Sequence, residues 1–326
     1  MNNKTDLNQI RPDHMLAPAE VSASLDLEAN TILDVGSGCM NLSLIYPEGC
    51  GGGCSYCFLG SGMTNDSAAN CASEHGWALY SVDEMIAHVT RNRDILNRVC
   101  ISTTMHPSSF DDAFFLVERV SRDLDLPVSV KINPPSVKAG DPNLFRDAGA
   151  DKVAFVLDSA TENLFIEHRC KSVDGACAWN TNWDTLKEAA FVFGSENTFC
   201  QLISGLGETE RQLLEATQNA HDIGAMTNLF PFYPDDGSLL EGVEPCPTGQ
   251  FRRMQLASFL IDSKKSTMGD MQFDEEDRVV SFGLKGKALE CIVDSGRPLK
   301  TNHHIGVRPC ARVWRSDNCN GGGCSK

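Results

Sequence analysis

Cys50-Gly-Gly-Gly-Cys54-Ser-Tyr-Cys57-Phe58 decides the reading of this sequence. Three cysteines at C-x3-C-x2-C spacing sit in a glycine-rich loop, with the aromatic Tyr56 just before the third. Three thiolates hold three irons of a [4Fe-4S] cube and leave the fourth iron open to a small molecule, whereas an electron-transfer cluster takes a fourth cysteine. The glycines let the backbone wrap closely round a cluster and offer N–H groups to its sulfurs. The alternatives are zinc and ordinary buried cysteines. Structural zinc brings two paired ligand sets, and the nearest histidine, His75, lies well outside the loop.

Composition narrows the setting. The chain has 326 residues and no long Pro/Ser-rich linker, a length that a single α/β barrel fills. A formal net charge of −16 argues against nucleic-acid binding, which needs a surplus of Lys and Arg on some face. Arg308, Arg312 and Arg315 form a local basic group all the same. Fourteen cysteines, with no signal-peptide pattern and no apolar run long enough to span a bilayer, predict a cytoplasmic protein without a membrane partner. Reduced thiols and metal clusters are then expected rather than disulfides.

The stretch to Asn30 is polar with scattered hydrophobes and reads as a leader helix or arm. Asn41-Leu-Ser-Leu-Ile-Tyr46 alternates like a strand, and the cysteine loop follows its C-terminal end, where α/β barrels carry their chemistry. Five more apolar, β-branched runs recur at 98–102, 127–133, 152–158, 198–204 and 227–233, each followed by a helical pattern. Ser81-Val-Asp-Glu84 and Thr181-Asn-Trp-Asp184 are expected helix starts, each with an acid three residues after a hydroxyl cap. Six such units predict a partial (β/α)6 TIM-type barrel, open on one side to a large substrate. The expected division is an arm over 1–38, the barrel over 39–247 and a C-terminal extension over 248–326.

The cluster loop resembles the signature of the radical S-adenosylmethionine (SAM) superfamily. Three further stretches resemble its biotin synthase and lipoyl synthase branch. Leu157-Asp158-Ser159, with Arg169 downstream and Trp183-Asp-Thr-Leu186 beyond, is similar to that branch's acid at the end of the fourth strand and its following Arg. The resemblance implies that Asp158 accepts from the SAM ribose hydroxyls and that Arg169 forks onto the SAM carboxylate. The plainer reading makes Asp158 a helix cap and Arg169 a surface residue. Ser204-Gly-Leu-Gly-Glu-Thr209 is similar to the turn after the fifth strand. There Gly205 and Gly207 would let backbone approach the adenosine, while Glu208 and Thr209 open a helix. Cys39-Met-Asn-Leu-Ser-Leu-Ile-Tyr-Pro-Glu-Gly-Cys50 resembles the split, two-protein lipoyl synthases. Where many members carry Gly-Gly-Glu after the second strand, this chain has Ser102-Thr-Thr-Met-His106, whose hydroxyls would face the SAM amino group.

A second cysteine group, Cys310, Cys319 and Cys324, closes the chain with a triple glycine between the last two. Cysteines so spaced on a tail suggest that something pins it, and a second [4Fe-4S] cluster fits, with Cys39 as fourth ligand and Cys291 or Ser325 behind it. Structural zinc is the rival reading. Cys100 and Cys200 read as strand core, Cys71, Cys170, Cys177 and Cys246 are scattered, and His303 and His304 are candidate ligands that read first as ordinary solvent-facing or hydrogen-bonded histidines. The resemblance implies a sulfur-inserting enzyme with two clusters and SAM as cofactors, acting on octanoyl-lysine of a lipoyl-carrier protein or peptide. A second radical SAM component and a reductant such as ferredoxin or flavodoxin are the implied partners. Another biotin-synthase-like radical SAM enzyme, or a non-catalytic cluster or zinc scaffold, are the alternatives.

Overall fold

The computed structural model describes residues 14–18, 39–44, 46, 50–57, 77–91, 93, 96–133, 141–169, 179–235 and 237–300. Eight strands form one sheet: β1 (His14–Pro18), β2 (Cys39–Leu44), β3 (Trp77–Ser81), β4 (Arg98–Ser102), β5 (Val128–Ile132), β6 (Ala150–Asp158), β7 (Thr198–Ser204) and β8 (Met226–Pro231). Their order is β3-β1-β2-β4-β5-β6-β7-β8, and the six from β2 to β8 run parallel. All six are the strands expected from the sequence. The other two are not: His14–Pro18, expected in a leader helix or arm, pairs antiparallel with both β2 and β3 and extends that edge of the sheet.

Alternation along the strands separates two faces. Met40, Leu42, Val99, Ile101, Val128, Val130, Val153, Phe155, Cys200, Leu202 and Leu229 point to one face and share a single core with the helices. Those helices are α1 (Val82–Arg91), α2 (Ser109–Leu124), α3 (Asp141–Asp147), α4 (Glu162–Arg169), α5 (Trp179–Phe193), α6 (Glu210–Asp222) and α7 (Thr248–Asp262). Cys100, Ala154, Phe199, Ile203 and Phe230 point the other way and pack instead against Tyr56 of the cysteine loop. A doubly wound sheet would need helices on both faces. Helices on one face and a loop on the other define a partial barrel with an inner wall.

Local signals explain the helix starts. The Ser81 hydroxyl accepts from the Glu84 N–H at 3.2 Å and Glu84 reaches back to the Ser81 N–H at 3.1 Å, the capping box expected there. The second expected start lies two residues inside its helix: α5 begins at Trp179, whose ring lies 5.3 Å from Phe165. Tertiary packing of the indole outweighs the hydroxyl cap. Beyond α7 the βα rhythm ends in a short ribbon, β9 (Gln272–Phe273) with β10 (Val279–Ser281), and the helix α8 (Lys287–Asp294).

At the foot of the barrel, Asp262 ends α7 and accepts from the Thr227 N–H at 3.1 Å, with His221 Nδ1 3.9 Å from its other oxygen. Burial pushes its carboxyl up to about 7, only partly offset by the Thr227 hydrogen bond. The folded protein therefore holds a proton that the unfolded chain releases near pH 4. This contribution to stability is present below about pH 4 and is lost as pH rises toward 7. Asp262→Asn keeps the acceptor and removes the charge, so it is expected to stabilise the fold at pH 8 by up to roughly 4 kcal/mol and to have little effect near pH 4. Urea unfolding at the two pH values checks this; equal effects at both would show that the charge is not what matters.

Candidate functional site

The cysteine loop leaves the C-terminal end of β2 and crosses the mouth of the barrel. Its first anchor is Met105, just past β4: the Gly51 N–H donates to the Met105 carbonyl at 2.7 Å, and the N–H groups of Gly52 and Met105 both lie 3.4 Å from Cys50 Sγ. A Cβ on Gly52 would stand 2.5 Å from Met105 Sδ, so any side chain there would have to push the Met105 thioether aside. Farther on, the Ser55 N–H donates to the His168 carbonyl at 2.8 Å and the Ser55 carbonyl accepts from Leu240 N–H at 3.1 Å. His168 Nε2 donates to the Leu206 carbonyl at 2.9 Å, because a carbonyl can only accept. Its Nδ1 therefore accepts from the Ser55 hydroxyl at 2.7 Å. The loop is thus tied to β4, α4 and the segment after β8, spanning the two ends of the parallel sheet.

Between Cys54 and Cys57, Tyr56 turns inward. Its hydroxyl donates to Asp158 Oδ2 at 2.5 Å, and Arg169 Nη1 reaches the same oxygen at 2.6 Å. Gln201 Nε2 donates to Asp158 Oδ1 at 2.7 Å, while Arg169 Nη2 donates to Asn133 Oδ1 at 2.8 Å. Asp158 and Arg169 are 3% and 1% exposed, so this is a buried ion pair whose desolvation the surrounding hydrogen bonds must offset. Burial pushes the Cys54 thiol up to about 11 despite the opposing pull of Arg169. Metal ligation would replace that proton.

The sequence-based site residues fall out as follows. Cys50, Cys54, Cys57 and Tyr56 share the loop, and Asp158 and Arg169 lie directly behind it. Neither of the latter is a helix cap or a surface residue. Their polar groups are turned on each other and on Tyr56, Asn133 and Gln201. Gly205 and Gly207 both adopt left-handed backbone, φ 102° and 109°, in the turn after β7. Glu208 does not open the helix. Its carboxylate folds back to accept from the N–H groups of Gly205 at 2.6 Å and Leu206 at 2.9 Å, and Thr209 caps α6 with Gln212. In the stretch standing for Gly-Gly-Glu, the Thr103 hydroxyl is spent on the Asn133 N–H at 2.9 Å, whereas the buried Thr104 hydroxyl has no hydrogen-bond partner. Sequence reasoning missed His168, Asn133, Gln201 and Leu240, and no local pattern marks them.

Cys100 and Cys200 are strand core, as expected. Cys246 is half-buried against the Gly205 turn and Cys291 is exposed. Cys39 begins β2, at the end of the barrel opposite the loop. Cys310, Cys319, Cys324, Ser325, Cys71, Cys170, Cys177, Phe58, His75, His303, His304 and the Arg308, Arg312 and Arg315 group lie outside the described residues.

The loop suits a [4Fe-4S] cube. Two N–H groups are aimed at Cys50 Sγ, and the glycines leave room for a bulky inorganic group. Among the described residues no three His, Cys, Asp or Glu side chains are gathered tightly enough to hold one metal ion, the three loop cysteines included. Also among the described residues, no helix is long and apolar enough to cross a membrane.

The radical SAM superfamily model matches residues 44–220, more than half of the chain. No curated protein matches. Among solved structures, methylornithine synthase (PylB) superposes with a TM-score of 0.51 at 14% identity, covering 81% of this chain and 71% of that one. The FeFe-hydrogenase maturase HydG from Carboxydothermus hydrogenoformans gives 0.52 at 13% identity, covering 78% of this chain and 66% of that one. At such identities the likeness is one of fold.

Proposed function

The chain belongs to the radical SAM superfamily, and from that premise we propose that it inserts sulfur at an unactivated carbon of a protein-bound octanoyl-lysine, as one component of a split lipoyl synthase. Cys50, Cys54 and Cys57 would hold the SAM-binding cluster, and Cys310, Cys319 and Cys324 an auxiliary one. When bound, the loop cluster would supply the electron that cleaves SAM, SAM the group that takes hydrogen from the target carbon, and the auxiliary cluster the sulfide. The chain's own part is to place the target carbon and keep water away.

The observation that carries this reading is the apolar wall beneath the loop: Ile203, Leu206, Phe230 and Phe232 cluster with Tyr56 and touch Cys54 and Cys57. The side chains of the wall are at most 5% exposed, so an alkyl chain would reach it by entering at the mouth and parting Tyr56 from it. The tail cysteines supply the second half of the chemistry. A sulfide must reach the same carbon, so the auxiliary ligands belong at the mouth. Cys39 stands about 17 Å of strand away from the rim. Cys246, after β8 and against the Gly205 turn, lies at the mouth and replaces Cys39 as the barrel's candidate fourth ligand. Leu239 and Val243, 67% and 45% exposed in the same segment, would meet the carrier protein.

A second reading, another radical SAM enzyme acting on a polar substrate, is favoured by the other half of the inner wall. There Ser129, Lys131 and Asn133 are buried, and Ser129 Oγ, Gln201 Oε1 and Asn228 Nδ2 have no hydrogen-bond partner. The deciding assay is anaerobic reconstitution with iron counting, followed by SAM, reductant and an octanoyl-lysyl peptide. Thiolated peptide together with 5′-deoxyadenosine is expected; 5′-deoxyadenosine without thiolation favours the second reading.

A further inference from the structure

We propose that Asp158 is a positioning residue for the cluster loop, locking Tyr56 of that loop to the buried Arg169, rather than a reader of the SAM ribose. The carboxylate is engaged from three sides, with both positions of Oδ2 and one of Oδ1 taken. Tyr56 comes from the loop at 2.5 Å, Arg169 from α4 at 2.6 Å and Gln201 from β7 at 2.7 Å. One acceptor position, on Oδ1, is left, so a ribose diol binding through both hydroxyls would have to displace one of these donors and leave it buried without a partner, which costs as much as the new bond returns. Asn133, just past the end of β5, takes the other arm of the guanidinium at 2.8 Å, so the loop, β5, β6, α4 and β7 all meet at one ion pair.

The backbone is bent to aim this carboxylate. Asp158 has φ 61°, a left-handed conformation rare for a residue with a Cβ, and the pairing of β6 with β7 shifts register between Val156 and Asp158. Strain of this kind persists where the surroundings hold a particular geometry. Because Tyr56 lies between two cluster cysteines, fixing its hydroxyl fixes the loop's path across the mouth. Arg169, held in turn, acts on Cys54 as a nearby positive charge.

The test uses the anaerobically reconstituted full chain and does not depend on which substrate is turned over. Tyr56→Phe removes only the hydroxyl. It is expected to change the EPR spectrum of the reduced, SAM-responsive cluster and to speed loss of that signal to an iron chelator by roughly tenfold or more, as for one charge-assisted hydrogen bond. Its SAM dissociation constant should stay within about twofold of the unaltered chain, since no bond to SAM is removed. Asp158→Asn should change the spectrum at least as much, because it also leaves the buried Arg169 without its counter-charge, and the double variant should add little beyond that single effect. An unchanged spectrum and chelation rate in Tyr56→Phe would overturn the proposal. So would a loss of SAM affinity of about tenfold in Asp158→Asn that is the same with and without the Tyr56 hydroxyl, the behaviour of a ribose ligand. Should Asp158→Asn fail to fold, Tyr56→Phe decides alone.

Discussion

A chain carrying Cys50→Ala, Cys54→Ala and Cys57→Ala is expected to form 5′-deoxyadenosine only at the background rate of reductant and SAM alone, while iron held by the tail cysteines remains. The reason is stoichiometric: each thiolate holds one iron of the cube, and removing all three leaves the open iron, and hence SAM, with nothing to bind it. The fold should survive. The loop is held by the Gly51–Met105, Ser55–His168 and Leu240–Ser55 backbone bonds, none of which involves a thiol. Trimming half-buried sulfur atoms costs far less than excavating a core side chain. The comparison is 5′-deoxyadenosine by liquid chromatography, iron content and thermal melting, each against the unaltered chain. SAM cleavage that persists in a folded triple variant would sink the assignment of this loop.

That loop was legible because its information is local: spacing, glycines and an aromatic within eight residues. The strands were legible for a similar reason. Runs such as 98–102 and 198–204 are short, apolar and bounded by turn residues, so β4 and β7 begin and end where the sequence places them. β2 starts earlier than its alternation suggests because Cys39 and Met40 pair with Arg98 and Val99 on the neighbouring strand, a partnership no local pattern encodes. The antiparallel pair β1 and β3 escaped for the same reason, since each is a strand chiefly by virtue of the other. In the site, Asp158 and Arg169 were found by position relative to a strand end. Their partners were not found. Tyr56 and Asp158 are 102 residues apart, and Ser55 and His168 are 113 apart, joined only when the barrel brings the loop across its mouth. Reading Asp158 as a ribose ligand followed from its place in the chain. Its bonds to Tyr56 and Arg169 depend on a register shift and a left-handed residue that the sequence does not announce.

Replacing Cys310, Cys319 and Cys324 together by Ala should separate the two halves of the proposed chemistry. SAM cleavage belongs to the loop, whose anchors lie on β4, α4 and the segment after β8, so 5′-deoxyadenosine formation is expected to continue in this variant. Carbon–sulfur bond formation is expected to stop, because the sulfide has no remaining holder. Iron should fall by the content of one cluster, and EPR of the SAM-responsive signal should be unchanged. In the intact protein, turnover should end near one sulfur-donating event per auxiliary cluster unless the cluster is rebuilt. Isotopically labelled sulfide used in reconstitution should then appear in the product. Cys246→Ala should reproduce part of the iron loss if the mouth supplies the fourth ligand, whereas Cys39→Ala, at the far end of β2, should not. Zinc at the tail, or product sulfur without the label, would remove the tail from the reaction and turn the reading toward the polar inner wall of Ser129, Lys131, Gln201 and Asn228. The tail variant therefore tests the sulfur source independently of the loop, since each triple substitution leaves the other cysteine group intact.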